Sequence, residues 1–278
     1  MEKTQLERAV DVLLSSGRAV FSLAIIGLGV ETLVCAHRAV FLYPPLAYPK
    51  VRVIPVLPFL PAIPWLAYLF GAVLAACGAG LLFKRTLRTS ALLAGGLMFL
   101  GAVVLNAPRN AVIPGNMGLR TAVFEPLAIA ALAWLLPGRK AIPSLLERAS
   151  RYLLALSLIV FGVDHFLALA PIGALIPNWI PWHVFWVAFF GAGFIATGLS
   201  LGLNVLVRWS TACLGLMFAI WVFTLHLLTV LGLYVIPGRS NFASLWSSFL
   251  IAVALWGGSW ALANSSSSAV LAPSSADQ

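Results

Sequence analysis

Long apolar runs separated by short polar segments dominate the pattern of the chain. A helix needs about 20 predominantly apolar residues to cross the roughly 30 Å hydrocarbon core of a bilayer. Runs of suitable length occupy eight segments, at about 19–36, 63–82, 90–106, 121–136, 152–170, 182–203, 210–232 and 242–262. The pattern therefore predicts an all-α integral membrane protein with eight transmembrane helices.

Composition strengthens this prediction and excludes a soluble fold. Of the 278 residues, 62% are hydrophobic and only 9% are charged, and the mean hydropathy is +1.02. A soluble domain carries about a quarter of its residues as charges. The net charge of +9 would suggest nucleic acid in a soluble protein, but here the basic residues lie in short segments between apolar runs, as the positive-inside rule expects. We predict a lipid bilayer as the partner and no nucleic acid.

The basic residues are distributed unequally between the two sides of the predicted membrane. Of the 17 Lys and Arg, 11 lie in the N-terminal segment and in the loops after the second, fourth and sixth spans, and six lie in the other loops. Loops rich in Lys and Arg stay in the cytoplasm. The distribution predicts that both termini are cytoplasmic.

Short motifs recur in the same order in the two halves of the chain. The matched positions are 6–9 with 146–149, 29–31 with 162–164, 63–65 with 180–182, 71–78 with 191–198, 96–99 with 215–218, and Arg120 with Arg239. Such recurrence indicates duplication, and an even number of spans gives parallel rather than inverted repeats. We predict two four-helix bundles packed through Gly and Ala, one over 1–140 and one over 141–264. The polar segment 265–278 is predicted to be a disordered tail.

Several features of the second half resemble the DoxX/DoxD-like membrane proteins. They are a first helix that begins at an arginine and ends in the Gly-Val-Asp-His of 162–165, a Pro-rich linker at 171–179, a Gly-rich second helix, and a third helix that ends near His226. The resemblance covers about 150–262, and 16–136 more loosely. It implies a four-helix membrane unit, and some members accompany periplasmic or membrane redox systems, including thiosulfate:quinone oxidoreductase and the maturation of methylamine dehydrogenase. The first half departs from the pattern, with Thr32 and Asn106 where the second has His165 and His226.

Ionisable residues inside the predicted spans lie towards the non-cytoplasmic side. At about 1.5 Å per residue, Glu31 and Asp164 lie about 20 Å beyond the arginines that begin their spans. A charge at the bilayer centre costs roughly 2.5–3.5 kcal/mol on insertion scales, so such groups face a polar interior and find partners. We predict an outward-facing polar pocket in each unit. The lining residues are Asp164, His165, His226 and Arg239 in the second unit, and Glu31, Glu125, Arg109 and Arg120 in the first.

The same residues also fit a purely structural role, in which acid–arginine pairs lock helix ends to loops. Metal sites are disfavoured, because Asp164 and His165 are adjacent and point about 100° apart on a helix. His165 and His226 form one His pair without a haem-binding motif, and the three cysteines are scattered without a CxxC pair. The sequence predicts no metal ligands and favours a quinone over haem as the cofactor.

The leading hypothesis is a membrane protein associated with a redox system, whose outward pocket holds a quinone-like or small polar ligand. The acid and the histidine would then relay protons. The protein itself would lie in the bacterial inner membrane, with a periplasmic or membrane redox protein as its partner. Two alternatives stay open: a non-catalytic subunit that assembles or stabilises a larger membrane complex, and a small-solute transporter. Polar groups on one side only give a transporter no continuous path. Whether the protein is an enzyme is not determined by these residues.

Topology is tested by reporter fusions. Fusions at residue 145 and at the C-terminus should both report a cytoplasmic location, because the basic loops stay inside. A periplasmic signal from either fusion contradicts the eight-span prediction.

Overall fold

The computed structural model describes residues 5–35, 64–138, 141–235 and 242–270, and the secondary-structure elements within these ranges are all helices joined by turns and loops. Two π-helical segments, Gly101–Asn106 and Val222–His226, directly follow the α-helices that end at Leu100 and Trp221. The α-helices are α1 (Gln5–Ser15), α2 (Gly17–Cys35), α3 (Pro64–Gly80), α4 (Leu87–Leu100), α5 (Ala107–Val112), α6 (Met117–Leu135), α7 (Ser144–Leu167), α8 (Leu169–Gly173), α9 (His183–Leu203), α10 (Val207–Trp221), α11 (Leu227–Val230) and α12 (Phe242–Val270).

Seven helical stretches of the described residues are long and apolar enough to cross a membrane, which marks the chain as a membrane protein. They cover the first and the third to eighth predicted spans. The second predicted span, 63–82, corresponds to the 17-residue helix α3. At 1.5 Å per residue α3 is about 26 Å long, near the lower limit for crossing the hydrocarbon core.

Two central helices, α6 and α12, hold the eight long helices together. The helices form a closed ring in which each contacts the next. The order is α2, α3, α4, α6, α7, α9, α10 and α12, and α12 contacts α2. α6 and α12 also contact each other. Residues 128–133 of α6 are at most 1% exposed, so this helix is covered on every side, as expected for a helix that is apolar all round. Each predicted four-helix unit is thus in extensive contact with the fourth helix of the other unit.

Glycines bring two pairs of helices into backbone contact in the same way. A Cβ atom on Gly29 of α2 would lie 2.5 Å from the backbone nitrogen of Ala75 and 2.7 Å from the carbonyl oxygen of Gly71, both on α3. A Cβ atom on Gly162 of α7 would lie 2.6 Å from the carbonyl oxygen of Gly191 on α9. Small residues permit such close approach where no water drives helices together. The contacts join the same residues that the sequence motifs match.

A tryptophan packs over a glycine at a second pair of equivalent positions. Trp134 of α6 donates from Nε1 to the carbonyl oxygen of Leu92 at 3.3 Å, and its indole covers Gly95 of α4. Trp260 of α12 covers Gly215 of α10 and donates to the carbonyl oxygen three residues before that glycine, at 3.2 Å. Each central helix is therefore joined to the third helix of its own half by the same contact.

This contact corrects one match made from the sequence. The motif comparison paired Gly96 with Gly215, whereas Gly95 is the residue that occupies the equivalent position under an indole. A Cβ atom on Gly96 would meet nothing within 4 Å. Adjacent helix positions point about 100° apart, so only one of two neighbouring glycines can face the tryptophan.

The C-terminal helix extends beyond the boundary predicted at residue 264. α12 continues to Val270, so 265–270 is helical rather than part of a disordered tail, and 271–278 lies outside the described residues. The hydroxyls of Ser265 and Ser266 each donate to the carbonyl oxygen of Leu262 at 2.9 Å. Serines that bond back to the preceding turn can stay within a helix.

A matched pair of substitutions tests the contact between Trp134 and Gly95. A Cβ atom on Gly95 would lie 2.5 Å from Cδ1 and 2.8 Å from Cε2 of the indole, so Gly95→Ala should destabilise the protein by about 1–3 kcal/mol through overpacking. Gly96→Ala should be neutral or slightly stabilising, because Ala has the higher helix propensity. Thermal unfolding in one detergent measures both, and equal melting temperatures would contradict the packing described.

Candidate functional site

A buried ion pair joins α6 to α7. The Nε of Arg120 donates to Oδ1 of Asp164 at 2.8 Å and lies 3.1 Å from Oδ2, and Nη2 also bonds Oδ1. The side chain of Asp164 is 5% exposed and that of Arg120 is 24% exposed. Paired hydrogen bonds between a guanidinium and a carboxylate are among the strongest polar contacts in proteins. This pair fixes the end of α7 against the beginning of α6.

The beginning of α6 holds Arg120 in place. Asn116 precedes the helix, and its side-chain oxygen accepts from the backbone N–H of Leu119 at 3.0 Å, which satisfies one of the free N–H groups of the first turn. Arg120 lies in this turn, and its Nη1 donates to the carbonyl oxygen of Pro114 at 3.4 Å. The guanidinium is therefore held by the loop before α6 as well as by Asp164.

The ion pair crosses the boundary between the two predicted units, which corrects the predicted pockets. The sequence assigned Arg120 to the first pocket, and Asp164 to the second together with Arg239. The actual pairing follows from the contact of α6 with α7, which spacing along the chain does not reveal. Arg239 lies outside the described residues. The register set by the two indole contacts matches Arg120 with Trp246 of α12.

Glu31, the acid of the first half, has a different partner. Ser247 of α12 donates from Oγ to Oε1 of Glu31 at 2.5 Å, and Ser247 is 6% exposed. Like Asp164, Glu31 lies near the end of the first long helix of its half and contacts the fourth helix of the other half. Asp164 meets a guanidinium there, and Glu31 meets a hydroxyl.

His165 points away from Asp164, as their adjacency in the helix predicts. Its Nδ1 hydrogen-bonds with the carbonyl oxygen of Phe161 at 2.7 Å, and its ring meets the ring of Phe194 on α9 edge-on, with centroids 5.1 Å apart. Asp164 faces α6 and His165 faces α9. The two side chains therefore serve different helix contacts.

Asn106 and His226 end the two π-helical segments. Single π-helical turns within α-helices are rare and occur frequently at functional sites. Asn106 is 3% exposed, and its Nδ2 lies 3.4 Å from the carbonyl oxygen of Gly101; His226 is half-buried. The sequence matched Asn106 with His226, but it gave no sign of the π-helical geometry they share.

Two buried side-chain atoms of α5 are without a hydrogen-bond partner among the described residues. The Nε atom of Arg109 and the Oδ1 atom of Asn110 are buried and make no hydrogen bond there. α5 leads through a short loop into α6, so these atoms lie at the same end of the helices as Arg120. Glu125 follows on α6 and is half-buried. Buried polar atoms are normally hydrogen-bonded, so the two atoms of α5 are suited to a polar ligand or water. Asn110 was not among the residues singled out in the sequence.

An open concavity of about 790 Å³ lies where α9 begins. None of the seven predicted site residues that the structure describes lines it. Trp182, which is 76% exposed, has a left-handed backbone conformation directly before α9. The lining residues are Asn178, Ile180, Pro181, Trp182, His183, Val184 and Phe185.

The part of the chain that the structure describes contains no group of three or more His, Cys, Asp or Glu residues that could hold a metal ion. None of its three cysteines forms a disulfide, and Cys77 is buried whereas Cys213 is exposed on the helix surface.

No protein-family model, curated protein or solved structure matches this chain. Its function is therefore inferred from its own contacts. Three features lie at one end of the helices: the Arg120–Asp164 pair, the ends of the π-helical segments, and the two buried polar atoms of α5 that make no hydrogen bond with the residues described.

Removing one partner of the buried ion pair should destabilise the fold. Asp164→Asn leaves the Arg120 guanidinium without its counter-charge, and we expect a loss of about 3–5 kcal/mol. The control is Asp11→Asn at the opposite end, where Oδ1 of Asp11 pairs with Nη2 of Arg208 at 2.7 Å and both side chains are about a quarter exposed. An exposed pair contributes about 0–1 kcal/mol. Unfolding in the same detergent compares the two variants. Equal losses of unfolding free energy would show that the Asp164 pair stabilises the fold no more than the Asp11 pair does.

Proposed function

We propose that this protein is a DoxX-like integral membrane protein, associated with a redox system, that binds a small polar or quinone-like ligand at the non-cytoplasmic end of its helices. The observation that carries the proposal is the pair of buried, unpartnered polar atoms on Arg109 and Asn110. They lie at the same end as a guanidinium already fixed by Asp164. The association with redox chemistry is supported by the resemblance of 150–262 to the DoxX/DoxD-like proteins.

The chemistry of these groups suits an oxygen-bearing ligand. A guanidinium has five N–H donors in a rigid fork, and Arg120 uses one edge of its fork on Asp164, with a long contact to Pro114. Arg109 offers its Nε, and Asn110 offers a carbonyl oxygen. Small-molecule sites typically have a small number of polar groups in an otherwise apolar lining. His226 lies at the same end of the helices, and its ring nitrogens can donate or accept a hydrogen bond.

We further propose the architecture in which the ligand is held. The chain comprises two four-helix units, 1–140 and 141–264, in the same orientation. Counting α3 as the second span brings the number of spans to eight. Both termini face the cytoplasm of a bacterium, and the protein lies in the inner membrane. The matched contacts of Gly29 and Gly162, and of Trp134 and Trp260, support the duplication. The uneven distribution of Lys and Arg supports the orientation.

A non-catalytic subunit of a larger complex is the second candidate. The observation that favours it is the Arg120–Asp164 pair, which would serve equally well to lock α6 to α7 without any ligand. The two functions differ in whether the purified protein retains a small molecule or another membrane protein.

Comparison of two arginine variants tests the ligand site. Arg109 and Arg151 both have a buried Nε without a hydrogen bond among the described residues, but Arg151 lies near the beginning of α7, at the opposite end. Arg109→Gln should lower the amount of co-purified small molecule by about tenfold, equivalent to about 1.4 kcal/mol, with little change in melting temperature. Arg151→Gln should retain it. Mass spectrometry of organic extracts identifies and quantifies the ligand.

Two outcomes contradict the proposal. Equal ligand content in both variants means that Arg109 does not contribute to binding. Absence of any small molecule from the wild type, together with stoichiometric co-purification of another membrane protein, favours the non-catalytic subunit instead.

A further inference from the structure

The two matched acids of the membrane domain have unlike surroundings. Asp164 receives paired hydrogen bonds from the guanidinium of Arg120, with Nε at 2.8 Å from Oδ1. Glu31 receives a hydrogen bond from the hydroxyl of Ser247 at 2.5 Å. A guanidinium compensates the negative charge of a carboxylate, and a hydroxyl does not. The two acids are therefore expected to differ in whether the carboxyl group carries a proton.

The charges that surround Glu31 can be followed helix by helix. α2 packs against α1, α3 and α12. The described residues of α12 carry no ionisable side chain. Arg18 begins α2 thirteen residues before Glu31, about 20 Å away along the helix, and α1 lies beyond it. The ionisable side chains of these helices are therefore Glu7, Arg8 and Asp11 on α1, Arg18 and Cys35 on α2, and Tyr68 and Cys77 on α3.

No cation of the described residues is thus near the Glu31 carboxyl. An uncompensated ionised carboxylate is strongly disfavoured in apolar surroundings, where such a group takes up a proton instead. A carboxylic acid can still accept a hydrogen bond from Ser247 and donate its own proton elsewhere. The described helices leave this part of α2 partly uncovered, since Glu31 is only half-buried and the nearby Val30 and Val34 are 47% and 64% exposed. In a membrane-spanning helix, an apolar surface that no other helix covers faces lipid.

We propose that Glu31 is a neutral, reversibly protonated carboxyl group that is reached from the lipid, and hence a proton-binding site of the membrane domain. Asp164, whose carboxylate lies beside the guanidinium of Arg120, is the matched acid for comparison. This site lies in the first half of the chain and does not depend on a ligand at Arg109 and Arg120.

A hydrophobic carbodiimide reports such a group chemically, because it reacts with protonated carboxyls inside membranes. The carboxyl oxygen bonds to the central carbon of the carbodiimide, and the carboxyl proton moves to one of its nitrogens. The resulting O-acylisourea then transfers its acyl group from oxygen to nitrogen and becomes a stable N-acylurea. No atom leaves, so the protein gains the mass of one reagent molecule.

The experiment treats the purified full-length protein in lipid nanodiscs with dicyclohexylcarbodiimide. We expect one adduct per chain, located on Glu31 by peptide mapping, absent from Glu31→Gln and progressively lost as the buffer becomes alkaline. Asp164 should stay unmodified in the wild type. In Arg120→Gln, where its cation is gone, Asp164 should become reactive as well.

Infrared spectroscopy provides a second measurement that needs no reagent. The difference between wild type and Glu31→Gln should contain the C=O band of a protonated carboxyl, and the band should disappear in alkaline buffer. Absence of the band overturns the neutral state of Glu31, and absence of the adduct overturns its access from lipid. An adduct on Asp164 or Glu125 in place of Glu31 overturns the assignment of the site. These results are independent of ligand retention by Arg109→Gln, so this inference and the proposed function can fail separately.

Discussion

Close approach between helix backbones is the constraint on which the rest of this structure depends. In hydrocarbon, helices gain nothing by leaving water, so they associate where small residues let them touch. Gly29 seats α2 against α3, and this contact sets the rotation of α2. Gly27 then faces α12, where an added Cβ would lie 2.5 Å from a methyl group of Leu250. Glu31 lies one turn beyond Gly27 on the same face and so meets Ser247.

Hydropathy predicted the helices well because the bilayer imposes their length and composition. It did not predict which helices touch. α6 meets α7, and α12 meets α2, because both central helices are apolar on all sides and no stripe along them indicates a preferred neighbour. The contacts of Trp134 and Trp260 were missed for a related reason: a tryptophan in an apolar run resembles a lipid-facing one until the glycine beneath it is located.

For the polar residues too, spacing along the sequence predicted some features and not others. Sequence alone predicted that Asp164 and Glu31 are equivalent acids at one depth, and the different directions of Asp164 and His165 followed from helix geometry. Their partners did not follow, since Arg120 and Ser247 are supplied by helices distant in the sequence. The π-helical turns also escaped prediction, because one extra residue in a turn barely changes the apolar pattern of a span.

The contact of each fourth helix with both halves of the chain limits how the two halves can change. A half-length chain that paired with a copy of itself would make each of these contacts twice, and any mutation would alter both copies at once. A covalently fused pair escapes that restriction, because each half can change alone. Asp164 beside a guanidinium and Glu31 beside a hydroxyl are differences that a single chain with two unlike halves can carry and a pair of identical chains cannot.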